Sequence, residues 1–130
     1  METKHMEKIN EITKKIIGCA IEVHKNLGVG LLESVYEECL FHELIALAKL
    51  KVERQKEIPV LYKGLKMNCA FRADLIVENK VVLELKSVTE IHPIHKAQIN
   101  TYTKLTNCKV GLIINFNSIL LTKGIYRWII

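Results

Sequence analysis

Two mostly apolar segments, joined by three polar residues, constrain the fold more than any other feature of this sequence. Residues 70–77 and 81–88 are strand-like, and Glu78, Asn79 and Lys80 separate them. Apolar runs of this length on either side of a short polar linker predict an antiparallel hairpin. Asn79 suits the loop, because asparagine tolerates the left-handed backbone conformation that a tight connection needs.

The length of the loop decides which side chains of the hairpin meet. If residues 78–80 form the loop, Asp74 lies opposite Glu84, and the Cβ atoms of such partners are about 4.5–5.5 Å apart on one face. Lys86 follows on the same face. A two-residue turn at Asn79-Lys80 would instead oppose Asp74 to Leu85, because a shift of one residue moves every side chain to the other face. In the three-residue register the opposite face is apolar and is predicted core: Ala73, Leu75, Val77, Val81, Leu83 and Leu85.

Helical periodicity is found on both sides of these strands. Apolar residues recur at helical spacing over residues 6–27 and 31–49, and Gly28 predicts the end of the first helix. His92-Pro93 opens a third helix to about residue 105, since proline is favoured at the first helical position. Further strands are predicted at 52–58, at 60–67 as a hairpin, at 110–116 and at 124–130. This order predicts an α/β or α+β fold with one mixed sheet flanked by helices.

The composition limits the class of protein. A chain of 130 residues, 49% of them hydrophobic, is expected to form one domain over residues 1–130. No apolar run approaches the roughly 20 residues of a membrane helix, and the N-terminus lacks a signal-peptide apolar region. We therefore expect a cytoplasmic protein without a membrane segment. Its four cysteines, with no Cys-x-x-Cys spacing, favour buried reduced thiols over a zinc site.

The positive charge is concentrated in the second half of the chain. The net charge is +5, and residues 66–130 hold nine basic and four acidic residues, against ten of each in residues 1–65. A basic surface suits a polyanion, because binding releases the counterions of the phosphates. It also serves solubility, and charge alone does not separate the two interpretations.

The pair Asp74 and Glu84 predicts a metal site. Two carboxylates this close repel each other unless a cation lies between them, and oxygen ligands with space for water suit Mg²⁺ or Mn²⁺. A metal here could neutralise charge on a phosphoryl group, and Lys86 could orient or deprotonate water or stabilise developing charge. The alternative is a solvated strand face with a Glu–Lys ladder, and spacing alone does not choose between the two.

Two helices offer supporting residues. Glu33, at the start of the second helix, falls inside the apolar arc, where an inward acid would need a metal or Lys86 as its partner; Glu37 lies at the edge of that arc. The alternative for Glu33 is an acid that stabilises a first helical turn.

On the third helix Gln98 and Tyr102 are four residues apart, so their polar tips can reach one phosphate. The alternative is a helix that packs amphipathic groups at the core rim. Surface or structural roles are expected for His24, His92 and His95.

Taken together, these residues resemble the GxxExxY family, a branch of the PD-(D/E)XK nuclease-like superfamily. The naming motif is Gly30-Leu-Leu-Glu33-Ser-Val-Tyr36. The resemblance spans nearly the whole chain and continues through Val23-His24, Leu27-Gly28, Tyr62-Lys63-Gly64, Arg72-Ala73-Asp74-Leu75, Glu84-Leu85-Lys86, Ala97-Gln98, Tyr102 and Gly111-Leu112-Ile113-Ile114-Asn115-Phe116.

The resemblance implies a restriction-endonuclease-like core with a central four-stranded mixed sheet. It implies that Asp74, Glu84 and the backbone carbonyl of Leu85 hold the metal and that Lys86 is the catalytic lysine. Glu33 matches the acid of the preceding helix, as a metal ligand or catalytic group. Gln98 and Tyr102 match polar positions of the helix after the hairpin. Ala73 departs from the proline of the superfamily's name.

Three functions follow from these residues. The first is a Mg²⁺- or Mn²⁺-dependent nuclease that acts on nucleic acid, on DNA before RNA. The second is a nucleic-acid-binding module that keeps the fold and cuts nothing, since fold does not fix function. The third is a protein-interaction subunit whose acid–lysine cluster is structural. A homodimer or another protein partner is compatible with each.

Overall fold

The computed structural model describes residues 2–130 of the chain, so that Met1 of the expected 1–130 domain lies outside the described residues. An α+β fold is formed, as predicted. Its helices are α1 (Glu2–Leu27), α2 (Glu33–His42) and α3 (Pro93–Leu105), and its strands are β1 (Val52–Tyr62), β2 (Leu65–Val77), β3 (Val81–Lys86), β4 (Val110–Asn115) and β5 (Ile125–Ile129). A π-helical turn, Glu43–Leu47, extends α2, and a 3₁₀ turn, Leu121–Gly124, precedes β5.

The sheet is mixed, and its strands follow the order β1-β2-β3-β4-β5. Only β3 and β4 are parallel, with α3 as the connection between them, and the other neighbours are antiparallel. The sheet therefore has five strands, where the resemblance implied a central set of four. This architecture is consistent with the restriction-endonuclease-like core.

One long ribbon replaces the short strands expected between residues 52 and 77. We expected a strand at 52–58 and a separate hairpin after it, but β1 continues through Pro59 to Tyr62 and pairs with β2 along its length. Pro59 is tolerated because β1 is an edge strand, where a missing N–H need not break the sheet. The pairing shifts between Pro59 and Leu61, which is the local irregularity that proline introduces.

Helices cover both faces of the sheet. The apolar stripe of α1 and the inner side of α2 pack on Leu75, Leu83 and Leu112 of the sheet. On the other face α3 packs through Ile99 on Val82 and Ile113. Gly111 allows α3 to lie close to β4, because a Cβ there would overlap Thr103 Oγ1.

At Gln55 the β1–β2 ribbon turns, so that side chains expected on one face of the sheet lie on opposite faces. Side chains should alternate along a strand, yet Val52 packs in the α1 cluster and Ile58 in the α3 cluster. On β2, Leu75 and Ala73 differ in the same way, so the prediction that they share one face is wrong. Gln55 has a left-handed backbone conformation with φ of +50°. This conformation rotates the ribbon at the level of Gln55 and turns its outer half towards α3.

The connection between α1 and α2 is fixed by Tyr36. Gly28 ends α1 with φ of +73°, as predicted. The Tyr36 hydroxyl donates to the carbonyl of Gly28 at 2.6 Å and accepts from the N–H of Leu31 at 3.3 Å. Its ring stacks on Phe116 with centroids 4.5 Å apart. The loop that leads to Glu33 is therefore held from inside the core.

Three smaller predictions can be compared with the structure. His24 has the expected structural role, since its Nε2 lies 2.8 Å from the carbonyl oxygen of Ser118. All four cysteines are free, but only Cys108 is buried and Cys69 is exposed, so the expectation of four buried thiols is wrong. Within residues 2–130, no helix has the length and apolar character needed to cross a membrane.

Candidate active site

The hairpin has the register that the three-residue loop predicted. Val77 pairs with Val81, and Leu75 pairs with Leu83. Glu78 and Asn79 both have φ of +55°, which is the left-handed conformation that a short loop of this kind requires. This register places residues 74 and 84 next to each other across the two strands.

The side chains of Asp74 and Glu84 take over hydrogen bonds where the regular strand pairing ends. The N–H of Asp74 donates to Glu84 Oε2 at 3.2 Å, and the N–H of Leu85 donates to Asp74 Oδ2 at 2.9 Å. Both carboxylates are therefore fixed by the backbone of the opposite strand. Their side chains are half-buried beneath the α3 side of the sheet.

Burial and the neighbouring acid change the protonation of this pair. Burial first, and then the charge of Asp74 and a hydrogen bond with its side chain, raise the pKa of Glu84 to about 9, against smaller opposing effects of the Asp74 backbone N–H and of Lys86. At neutral pH Glu84 therefore keeps its proton when no metal is bound. A divalent cation would favour the ionised pair in place of that proton, so the donors fit a hard cation.

The carboxylate pair does not by itself complete a metal site. Within residues 2–130, no three side chains of the His, Cys, Asp or Glu type converge as a ligand set. Hard cations also take backbone carbonyls and water as ligands. The carbonyl of Leu85, between Glu84 and Lys86, is the backbone group that the resemblance assigns to this role.

Glu33 lies on the Lys86 side of the site and is not brought to the carboxylate pair. We expected it to point inward, but it is exposed, and its Oε2 accepts a hydrogen bond from the N–H of Ser87 at 3.2 Å. The Ser87 hydroxyl donates to the carbonyl of Leu31 at 2.7 Å. These two bonds attach the start of α2, at Glu33, to the residue that follows β3.

His95 also lies close to Lys86. It has the structural role that was expected, since its Nδ1 accepts from the N–H of His92 at 3.1 Å in a reciprocal cap of α3. Burial, followed by the charges of Lys86 and His92, lowers the pKa of His95, while Glu33 has the opposite effect. No pattern in the sequence predicts that His95 and Lys86 are electrostatic neighbours.

The inward acid of α2 is Glu37, which the sequence ranked below Glu33. Glu37 is only 8% exposed and accepts from Arg54 Nε at 2.8 Å and from Gln55 Nε2 at 2.6 Å. The same Gln55 amide lies 3.4 Å from Asp74 Oδ1. Gln55 thus links the buried acid to Asp74. Neither Arg54 nor Gln55 was identified from the sequence as a site residue, although both lie in the segment where a strand was expected.

The two polar residues of α3 have different surroundings. The Tyr102 ring stacks on Phe71 of β2, with centroids 4.2 Å apart. Burial raises the pKa of its hydroxyl, and the charges of Glu84 and Asp74 raise it further. Gln98 is exposed, and no hydrogen bond of its side chain occurs within the described part of the chain. Tyr102 is therefore within electrostatic range of the pair, and the role of Gln98 stays a prediction.

A mixed sheet between helices, with an Asp and a Glu-x-Lys segment on one hairpin, defines a nuclease-like class of fold. The sequence-family model of the PD-(D/E)XK nuclease superfamily matches residues 10–128, and the chain belongs to that superfamily. Membership supports a nuclease-like function.

Other comparisons concern the fold. The crystal structure of SSO0001 is similar, with a TM-score of 0.52 and 22% sequence identity over 74% of this chain. The match covers 48% of that protein, so the chain spans about half of its length. No curated protein sequence matches at a significant level.

Proposed function

We propose that this protein is a metal-dependent nuclease that hydrolyses phosphodiester bonds in nucleic acid, with DNA favoured over RNA. The observation that carries the proposal is the pairing of Asp74 with Glu84 beside Lys86, at a level where the backbone of each strand fixes the opposing carboxylate. Superfamily membership supports the same chemistry. We assign the chain to the GxxExxY branch on the motif Gly30-Leu-Leu-Glu33-Ser-Val-Tyr36.

Each residue has a separate role in this proposal. Asp74, Glu84 and the carbonyl of Leu85 hold Mg²⁺ or Mn²⁺, and Glu33 extends the ligand set through water or acts on the proton of the nucleophile. The bound cation supplies charge neutralisation at the phosphoryl group. Lys86 orients the attacking water and stabilises the charge that develops on the phosphate oxygens.

The α3 helix holds the phosphate in the proposed site. The Tyr102 hydroxyl donates a hydrogen bond to a phosphate oxygen, and its raised pKa keeps the hydroxyl protonated at neutral pH. Gln98, one turn earlier, donates from its exposed amide. We further propose one nuclease domain over residues 1–130 in the cytoplasm, as a homodimer or with another protein partner.

Cleavage of plasmid and of labelled oligonucleotides tests the proposal. We expect nicking or cutting with Mg²⁺ or Mn²⁺, none in EDTA, and loss in Lys86→Ala and in Asp74→Ala. Lys14→Ala, an exposed lysine of α1, is the matched control and should retain activity. Full cleavage by the Asp74→Ala variant would refute the assignment of the metal site.

A nucleic-acid-binding module without catalysis is the second candidate. The observation in its favour is that no three-residue ligand set is preformed within residues 2–130. Such a protein would bind nucleic acid with a salt-dependent affinity and would not cut it, whichever divalent metal is added.

A further inference from the structure

The outer half of the β1–β2 ribbon is a surface without a partner in the described chain. β3 pairs only with Leu75–Val77 of β2, so β1 and β2 continue as a two-stranded ribbon past the end of their pairing with β3. We call residues 59–70 the ribbon tip. Phe71, just inside the tip, stacks on Tyr102 of α3. The rotation at Gln55 therefore directs the ribbon along the α3 side, which is the side that carries the carboxylate pair.

The ribbon tip is apolar and basic, an unusual combination for an exposed hairpin. Tyr62 and Leu65 are direct cross-strand partners, with 60% and 66% of their surfaces exposed. Leu61 is 63% exposed and pairs with Lys66. The tip holds Lys63 and Lys66 and no acid, and neither lysine forms an ion pair within residues 2–130. Cations free of carboxylates around an apolar pair suit a polyanion that also presents flat apolar surfaces.

The dimensions of the ribbon fit duplex nucleic acid. A two-stranded β-ribbon can enter the major groove, which is about 12 Å wide. From Asp74 to Leu65 the strand advances nine residues, or about 30 Å at 3.3 Å per residue. One turn of duplex is about 34 Å. A duplex lying across the carboxylate pair would therefore meet the tip about one turn away.

We propose that the ribbon tip is a DNA-binding arm that enters a groove of the duplex about one helical turn from the cleavage site. Lys63 and Lys66 contact phosphates, and Tyr62 and Leu65 contact base edges in the groove. This inference rests on the proposed function for the location of the cut, but binding by the tip does not require cleavage.

Duplex binding in EDTA tests the arm, with duplexes of 8 and 24 base pairs and a single strand of 24 nucleotides. For Tyr62→Ala/Leu65→Ala we expect at least about fivefold weaker binding to the long duplex and less than about twofold change on the short one, since groove contacts need the second turn. For Lys63→Ala/Lys66→Ala we expect the slope of log affinity against log salt to fall by about 2. Lys14→Ala/Lys15→Ala, exposed on α1, is the control and should change neither.

Three results would overturn the arm. The first is unchanged duplex affinity in both tip variants, and the second is a loss confined to the single strand. The third is a loss of self-association in sedimentation by Tyr62→Ala/Leu65→Ala with duplex binding intact, which would make the tip a contact between copies of the chain. Cleavage with Mg²⁺ is measured in parallel. If the wild type cuts and the tip variants bind and cut as well as the wild type does, only the arm is refuted. If duplex binding depends on the tip but no protein cuts, only the nuclease is refuted.

Discussion

Glu84 should make the metal-free protein less stable as the pH rises. Its pKa in the folded protein is about 9, raised by burial and Asp74 from an ordinary value of 4.5. The folded state therefore keeps a proton that the unfolded chain releases. The stability that this proton supplies is complete below pH 4.5 and is lost progressively as the pH rises towards 9.

The magnitude follows from the width of that window. Each pH unit between the two pKa values changes the free energy of unfolding by about 1.4 kcal/mol, so Glu84 contributes a loss of at most about 4 kcal/mol between pH 5 and pH 8. Glu84→Gln keeps the shape of the protonated acid and removes its titration. The difference in stability between variant and wild type should therefore grow by about 2–4 kcal/mol across this range, in favour of the variant.

Urea denaturation in EDTA at pH 5, 6, 7 and 8, at constant ionic strength, measures this difference. Titrating groups that do not interact with residue 84 are common to both proteins and cancel, so the difference reports Glu84 together with its coupling to Asp74. Glu11→Gln, on the exposed side of α1, is the control and should follow the wild type at each pH. A difference between Glu84→Gln and wild type that stays constant from pH 5 to pH 8 would refute the reasoning.

The same pair predicts how metal addition acts. Because a cation competes with the proton, Mg²⁺ should raise the melting temperature of the wild type more at pH 8 than at pH 6. Glu84→Gln should lose most of this response. An equal response of both proteins to Mg²⁺ at pH 8 would place the cation elsewhere.

Three further substitutions test the positioning of the site. Gly111→Ala should cost about 1–3 kcal/mol in urea denaturation, because its Cβ would overlap Thr103, whereas Gly18→Ala meets no atom within 4 Å and should be neutral or stabilising. Tyr36→Phe keeps the stacked ring but loses the hydroxyl bond to the α1–α2 loop, so about 1–2 kcal/mol of stability should be lost. Gln55→Gly removes the left-handed strain, but it also removes the hydrogen bond to buried Glu37 and the amide beside Asp74. We expect the two effects on stability to offset each other to within about 1 kcal/mol and cleavage to be slower, and undiminished cleavage would deny Gln55 a positioning role.

The carboxylate pair could be predicted because it depends on local rules. A three-residue polar linker and the alternation of the last residues of each strand fix the partners of residues 74 and 84. The end of α1 at Gly28 and the start of α3 at Pro93 follow equally local preferences. These elements agree with the structure because no distant contact opposes them.

The residues that surround the carboxylate pair could not be predicted, because their positions depend on contacts between distant segments of the chain. Glu37 is buried because Arg54 and Gln55 reach it from β1, and periodicity within α2 contains no information about those partners. Nor does glutamine favour the left-handed backbone found at Gln55. The resulting rotation of the ribbon overrides the strand alternation that placed Ala73 beside Leu75.

The hydrogen bonds around the pair also argue for a ligand from outside the protein. A buried acid next to a second acid lowers stability at neutral pH, and strongly shifted acids are concentrated at functional sites. The nearest lysine on that face, Lys86, forms no ion pair within residues 2–130. The acid that does receive a cation from the chain is Glu37, which Arg54 binds at 2.8 Å. The chain thus neutralises the supporting acid with Arg54 and leaves Glu84 protonated beside Asp74, which is the arrangement expected where a divalent cation from solution completes the site.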